Sequence, residues 1–558
     1  MEKAHLKRFN TFRFSTPIKA ALLYIALFFA LFVIYITLKP VYSIPDVPNG
    51  VVAHVLVLSG VIAVTVFGFV RFFQKKLTPE TLVILIFIAG MLIRVGYMLV
   101  TSPNTRQYDT FVRDNNGHEG YAYYIYENFA LPDNNDYQFY HPPLNALLQA
   151  LFMRLTGGLT NIASEVFGAG GYFIESFNEG KPDWLSSSRY YLYGTCQILS
   201  AIHSLTTMIV GYKILKTIGL KGYQLAFWFA FFAFFPRHIM FAATLNNDPI
   251  AYLLSLSAIY FLLKWWLKGK KLIDLILCAL CIGLGVNAKM SAAVVCLPIG
   301  AVMLYELIKA IVKKDNEFTL KRAITQYGVF AAVCVPLSLV FIVYAKIRFN
   351  QPIGFVFNNL NKDLATTHHS FFARFFITFD SDEYFASLFL RTFTNTKSGL
   401  YNNYNMFNFA VRSAIFGEFG FWQGEIFAVV ALISLISLTA VAFGAVGITV
   451  VSYIKAKKAS KAPFHPTTMS DGAKVFLFGA ILFLSNMVAY VAFYIKMPYS
   501  CTMDFRYIMP VIISVPIMLS GFFNASFAGG KFKAYKCILM INVIVFLFSS
   551  MTFYMLCV

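Results

Sequence analysis

The chain has 558 residues, 58% of them hydrophobic and 13% charged, with a mean hydropathy of +0.65. Soluble domains carry about 25% charged residues, so a soluble enzyme is excluded and residues 1–558 read as a single transmembrane domain. The formal net charge of +20 would point to nucleic acid in a soluble protein. In a membrane protein it marks basic cytoplasmic loops, so the partner is a lipid bilayer and no nucleic acid is expected.

Apolar runs long enough for a helix to cross a bilayer recur along the whole chain, about thirteen in all. In chain order they are 21–38, 51–70, 82–100, 190–210, 223–241, 250–267, 272–286, 292–308, 327–344, 426–454, 475–494, 508–522 and 538–557. Some are short for a full crossing, notably the run containing Asp274. None shows the alternation of a membrane barrel, so the expected fold is an all-α polytopic membrane protein. The basic N-terminus and first run read as an uncleaved span. Most of the cysteines lie in apolar runs, which signals neither a zinc site nor a disulfide framework.

Every second connection is short and basic, as with Arg71, Lys75 and Lys76, then Lys213, Lys216 and Lys221, then Lys268, Lys270 and Lys271. These go to the cytoplasm, which puts the N-terminus inside and the C-terminus outside. Two long connections then face outward, at 101–189 and 345–425. Most acids and histidines are on that side, a likeness to loops that carry chemistry.

The first outer loop offers Asp109, Asp114, His118 and Glu119. A carboxylate partly desolvated by the bundle can act as a general base, while a solvated loop acid is the bland reading. Asp114, His118 and Glu119 also have a spacing that would suit a divalent cation on a helix. "YHPPL" follows, with His141 either binding a ligand or capping an amphipathic helix that runs from Leu144 to near Arg154.

"LNNDP" places Asn246, Asn247 and Asp248 at an outer span boundary, where a helix cap is the structural alternative. Arg237 and His238 interrupt an apolar run after Pro236, and a cation there either snorkels or binds an anion. Lys289 and Arg506, with Tyr507 beside the latter, sit at outer ends of spans. They suit a phosphate whose tail stays in the bilayer, against simple snorkelling to phospholipid. The second outer loop adds His368, His369, Arg374, Asp380, Asp382 and Glu383, and Glu418 precedes the tenth run.

The acid after an early outer span, "GH" with a tyrosine, "YHPPL", "NND", the outer-turn "AK" and "DFRYIMP" together resemble the GT-C membrane glycosyltransferases. The similar branch holds the protein O-mannosyltransferases and the lipid A aminoarabinose transferases. The resemblance runs from about Leu82 to Phe522, with "YHPPL" its most specific piece. It implies transfer of a sugar from a polyprenyl-phosphate donor to a glycan, lipid or protein acceptor outside the cytoplasm, as in cell envelope glycosylation.

It also implies that Asp109 is the catalytic acid of the first loop and that Lys289 and Arg506 face the phosphate. No cofactor is required by such chemistry. The family often shows an Asp-Glu pair where this chain has Asp109 and Thr110, which keeps Asp114 in contention. A transporter or flippase, or a polymerase or ligase of lipid-linked glycans, is the alternative. Transporters place ionisable groups near the bilayer midplane, whereas these gather at one face.

Overall fold

The computed structural model describes residues 17–38, 48–101, 110, 117–167, 187–313, 318–353, 365–376, 404–417, 425–459, 470–524 and 532–556. Helices α1 (Pro17–Leu38), α2 (Pro48–Phe73) and α3 (Pro79–Val100) precede the first large loop. That loop contributes α4 (His118–Asn128), a 3-10 turn at Tyr137–Tyr140, α5 (Leu144–Phe167) and α6 (Ser187–Gly194). Next come α7 (Gln197–Thr217), α8 (Gly222–Ala233), α9 (Pro236–Met240), α10 (Asp248–Leu267), α11 (Leu272–Ala288), α12 (Cys296–Lys313) and α13 (Leu320–Phe349). The rest are α14 (Phe371–Phe375), α15 (Met406–Phe416), α16 (Glu425–Ala459), α17 (Asp471–Lys496), α18 (Val511–Asn524) and α19 (Lys533–Leu556). Ala365 and Tyr499 form an isolated antiparallel bridge, and no strand forms among the described residues.

The fold is all-α and polytopic, as the sequence indicates. Among the described residues, ten helices are long and apolar enough to cross a membrane, or eleven if the pair Ser500–Ile508 and Val511–Ser520, bent by 43°, is one span. With the bent pair taken as the run at 508–522, two of the expected runs account for the difference from thirteen. The run at 223–241 breaks after Ala233, and α11 is a 17-residue helix. The break has a local cause: Pro236 has no N–H to offer the preceding turn. His238 Nδ1 donates to the freed Phe232 carbonyl at 3.2 Å, and Arg94 Nη2 donates to Ala233 O at 2.7 Å.

Helices α10 and α11 form an antiparallel hairpin pinned at both ends. At one end Lys264 Nζ meets Asp274 Oδ1 at 2.6 Å, while Lys270 in the turn reaches Glu306 of α12 at 2.7 Å. At the other end Asn247 Nδ2 donates to Ala288 O at 3.0 Å. The hairpin packs on α7 and α13. Cys278 and Cys281 have Cys-x-x-Cys spacing inside α11 but remain free thiols among apolar neighbours.

The helix after "HPP" is longer than the spacing predicts. It continues through Gly157 and Gly158 to Phe167. Leu147, Leu151 and Leu155 are exposed along one stripe while Ala146, Ala150 and Met153 are buried on another. An exposed leucine stripe at i, i+4, i+8 suits a helix lying in a bilayer interface.

Candidate active site

The residues flagged at distant positions of the chain meet at one end of the bundle. Asp248 opens α10 and Lys289 closes α11, so the hairpin brings them together. Lys289 Nζ donates to Asp248 Oδ1 at 2.5 Å. Arg506, from the 3-10 turn after α17, places Nε 3.8 Å from Asp248 Oδ2. The Tyr507 ring lies under both cations, 4.7 Å from Lys289 Nζ and 5.4 Å from the Arg506 guanidinium. All three charged side chains are nearly enclosed, at 10% exposure or less.

A second pair completes the cluster. Arg237 Nη2 donates to Asp504 Oδ1 at 2.7 Å, and the same oxygen accepts the Arg506 backbone N–H at 2.7 Å. Gly417, at φ +68°, backs this pair, and a Cβ there would collide with Arg237 Nη1. Only glycine adopts that backbone conformation readily and leaves the guanidinium its place.

The "NND" residues divide their work. Asn246 Oδ1 accepts the Asp248 backbone N–H at 2.9 Å, and Asn247 ties Ala288, the neighbour of Lys289. Asn247 occupies the cap position of α10 without a side-chain cap hydrogen bond. The carboxylate of Asp248 serves an ion pair rather than the helix end. His238 is fully buried with its ring against Tyr252 and Phe232. It holds the α8–α9 break and does not join the ion-pair cluster.

In the first loop, α4 begins at His118, and His118 stacks on His141 at 5.6 Å. Tyr121 Oη donates to the His141 carbonyl at 3.2 Å. Glu119 is 1% exposed and receives both a hydrogen bond from Arg189 Nη2 at 2.9 Å and a closer one from its Nε. Glu119 therefore answers a guanidinium. Among the described residues no three His, Cys, Asp or Glu side chains come together in a metal-binding group. Asp109, Asp114 and Glu418, with Asp380, Asp382 and Glu383, lie outside the described residues.

Burial pushes the Glu119 carboxyl above its ordinary value, against the pull of Arg189. The sign follows from linkage. A raised folded-state value gives stability that is full below the ordinary carboxyl range and is lost as pH rises through the raised value. Removing Arg189 leaves the ionised carboxylate buried and unpaired. Arg189→Leu is therefore expected to cost roughly 3 kcal/mol at neutral pH. The cost should shrink as the medium is acidified and vanish in the Arg189→Leu, Glu119→Gln double variant. Thermal unfolding across pH checks this, and a deficit that is constant with pH counts against it.

The two long connections meet near the cluster. Gln351 Nε2 donates to Tyr140 O at 3.3 Å. Thr366 N donates to Pro498 O at 2.8 Å, and Phe505 N donates to Ser413 Oγ at 2.8 Å. His369 stacks on Tyr404 at 3.9 Å. The "DFRY" segment is thus clamped between α15 and the bundle.

Residues 195–338 match the family model described as dolichyl-phosphate-mannose-protein mannosyltransferase. The match supports a GT-C glycosyltransferase of the O-mannosyltransferase branch. It spans α7 to within α13 and contains Arg237, Asp248 and Lys289. No curated protein matches the chain. A membrane glycosyltransferase with a lipid-linked sugar donor fits the apolar helices and the cationic cluster at one bundle end.

Three residues of this region escape a reading by sequence alone. Asp504 stands two positions before Arg506 and is wholly buried. Arg189 partners Glu119 from 70 residues away. Arg94 is buried inside α3, donating to Ser204 Oγ at 2.9 Å and to Gly90 O at 3.0 Å. A lone arginine in an apolar run was the available signal for Arg94.

Proposed function

We propose that this glycosyltransferase moves a sugar from a polyprenyl-phosphate donor to an acceptor hydroxyl at the outer face of the membrane, with inversion. The observation that carries the reading is the convergence of Lys289, Arg506 and Tyr507 around Asp248 at one end of the hairpin. Two cations at a span boundary suit a phosphate whose lipid tail remains among the helices. The charge asymmetry of the connections supports an outward site and a cytoplasmic N-terminus.

In the reaction the acceptor oxygen attacks the anomeric carbon as the bond from that carbon to the phosphate oxygen breaks. The bonding electrons go to the phosphate, and the hydroxyl proton goes to the Asp109 carboxylate. A single displacement inverts the anomeric centre. Lys289 and Arg506 stabilise charge that develops on the departing phosphate, so that oxygen needs no general acid. The acceptor is a glycan, lipid or protein, received by the two long connections.

The test is incubation of the bilayer-embedded protein with radiolabelled polyprenyl-phosphate sugars and membrane acceptors, with and without exhaustive chelation. Label should leave the lipid for an acceptor and keep doing so after chelation. Label that stays on lipid with every donor contradicts the transferase reading. Transfer lost on chelation and restored by a divalent ion contradicts the metal-free mechanism.

A further inference from the structure

Asp248 stands where an anion bound by Lys289 and Arg506 would stand. One carboxylate oxygen is taken by Lys289. The other, Oδ2, is buried and accepts no hydrogen bond among the described residues. Its 3.8 Å separation from Arg506 Nε is an electrostatic contact without a hydrogen bond. The backbone on either side of the pair is also anchored. Asn246 fixes the Asp248 backbone, and Asn247 fixes the chain next to Lys289. Asp504 is committed to Arg237. Among the described residues, Lys289, Arg506 and Arg237 thus share the two carboxylates of Asp248 and Asp504.

Transfer changes the charge of the lipid phosphate. The sugar-bearing donor is a phosphodiester with one negative charge. The product is a phosphomonoester, which carries about −1.5 to −2 near neutral pH. A site with both cations unopposed would hold the product harder than the donor.

We propose that Asp248 tunes the phosphate charge this site accepts, weakening its hold on the doubly charged monoester more than on the singly charged diester and so easing product departure. The inference rests on the reading that Lys289 and Arg506 hold a lipid phosphate. The carboxylate repels each negative charge on the ligand by the same Coulomb energy at a given distance. Its repulsion is therefore about twice as large for the monoester. Asp248 acts through the two cations and is a specificity-determining positioning residue.

The experiment uses two probes that need no knowledge of the sugar: polyprenyl monophosphate and its methyl ester. Equilibrium binding is measured with the full-length protein in nanodiscs for wild type, Asp248→Asn and Asp248→Glu. In Asp248→Asn the ratio of monoester to diester affinity should rise about tenfold, and Asp248→Glu should return it towards wild type. A ratio unchanged in Asp248→Asn overturns the inference, because a purely structural role would move both affinities together. A wild-type protein that binds neither probe overturns the underlying phosphate-site reading instead. A pH series supplies a second check. As pH rises from about 5.5 to 7.5 the monoester gains its second charge, and its affinity should rise more in Asp248→Asn than in wild type. An equal rise in the two overturns the inference.

Discussion

Arg506→Ala is expected to weaken donor binding by roughly thirtyfold or more, the scale of truncating one partner of a buried charge pair. Lys289→Ala should act in the same direction with a somewhat smaller effect. Arginine grips two phosphate oxygens through a planar fork, whereas lysine supplies one mobile point charge. Each truncation also removes one of the two cations beside Asp248, so the remaining cation is more fully neutralised by the carboxylate. The double truncation should cost less than the sum of the singles, because side chains on one ligand are coupled. The shared carboxylate is itself a source of coupling, and the Asp248→Asn background separates the two. Coupling that survives there comes from the phosphate. Strict additivity, or unchanged affinity in Arg506→Ala, would show that the two do not share a phosphate and would leave them a structural ion pair with Asp248.

Asp109→Asn should leave donor binding intact and lower transfer about a hundredfold or more, the usual scale for losing a general base. The next residue in the chain, Thr110, is fully buried, and its carbonyl accepts the Glu119 N–H at 2.9 Å. That bond ties the backbone directly after Asp109 to the start of α4. Glu119 is held by Arg189, which leaves it poorly suited to collect a proton from an acceptor. Single-turnover transfer by the bilayer-embedded variant checks the expectation. Near-normal turnover in Asp109→Asn, with Asp114→Asn inactive, would move the base to Asp114.

Much of the fold was legible because the bilayer constrains it. A chain that must satisfy its backbone internally shows its helices as apolar runs. The errors fall where one residue outweighs hydropathy. Pro236 was visible in the run at 223–241, yet apolar neighbours on both sides concealed the break. The freed carbonyls there are satisfied by Arg94, which lies more than one hundred residues earlier in the chain, and by His238. Gly157 and Gly158 looked like a helix end, yet α5 runs on through them to Phe167.

The site was half legible for a similar reason. Lys289 and Arg506 stand out as cations at span ends, and their position relative to the membrane suggests a phosphate. Their partners do not stand out. Asp248 beside Pro249 has the local pattern of a helix start, and local pattern carries no trace of a lysine 41 residues away. Arg237 and Asp504 are separated by 267 positions. Only packing α9 against α15 and the "DFRY" turn makes them a pair.

The central claim is that a donor phosphate sits between Lys289 and Arg506. It is tested most directly by determining the structure of the nanodisc-embedded protein with a bound polyprenyl-phosphate sugar. The account predicts phosphate oxygens within hydrogen-bonding distance of Lys289 Nζ and of the Arg506 guanidinium, with the lipid tail between the helices. A phosphate bound elsewhere, with Lys289 and Arg506 still closed on Asp248, would contradict it.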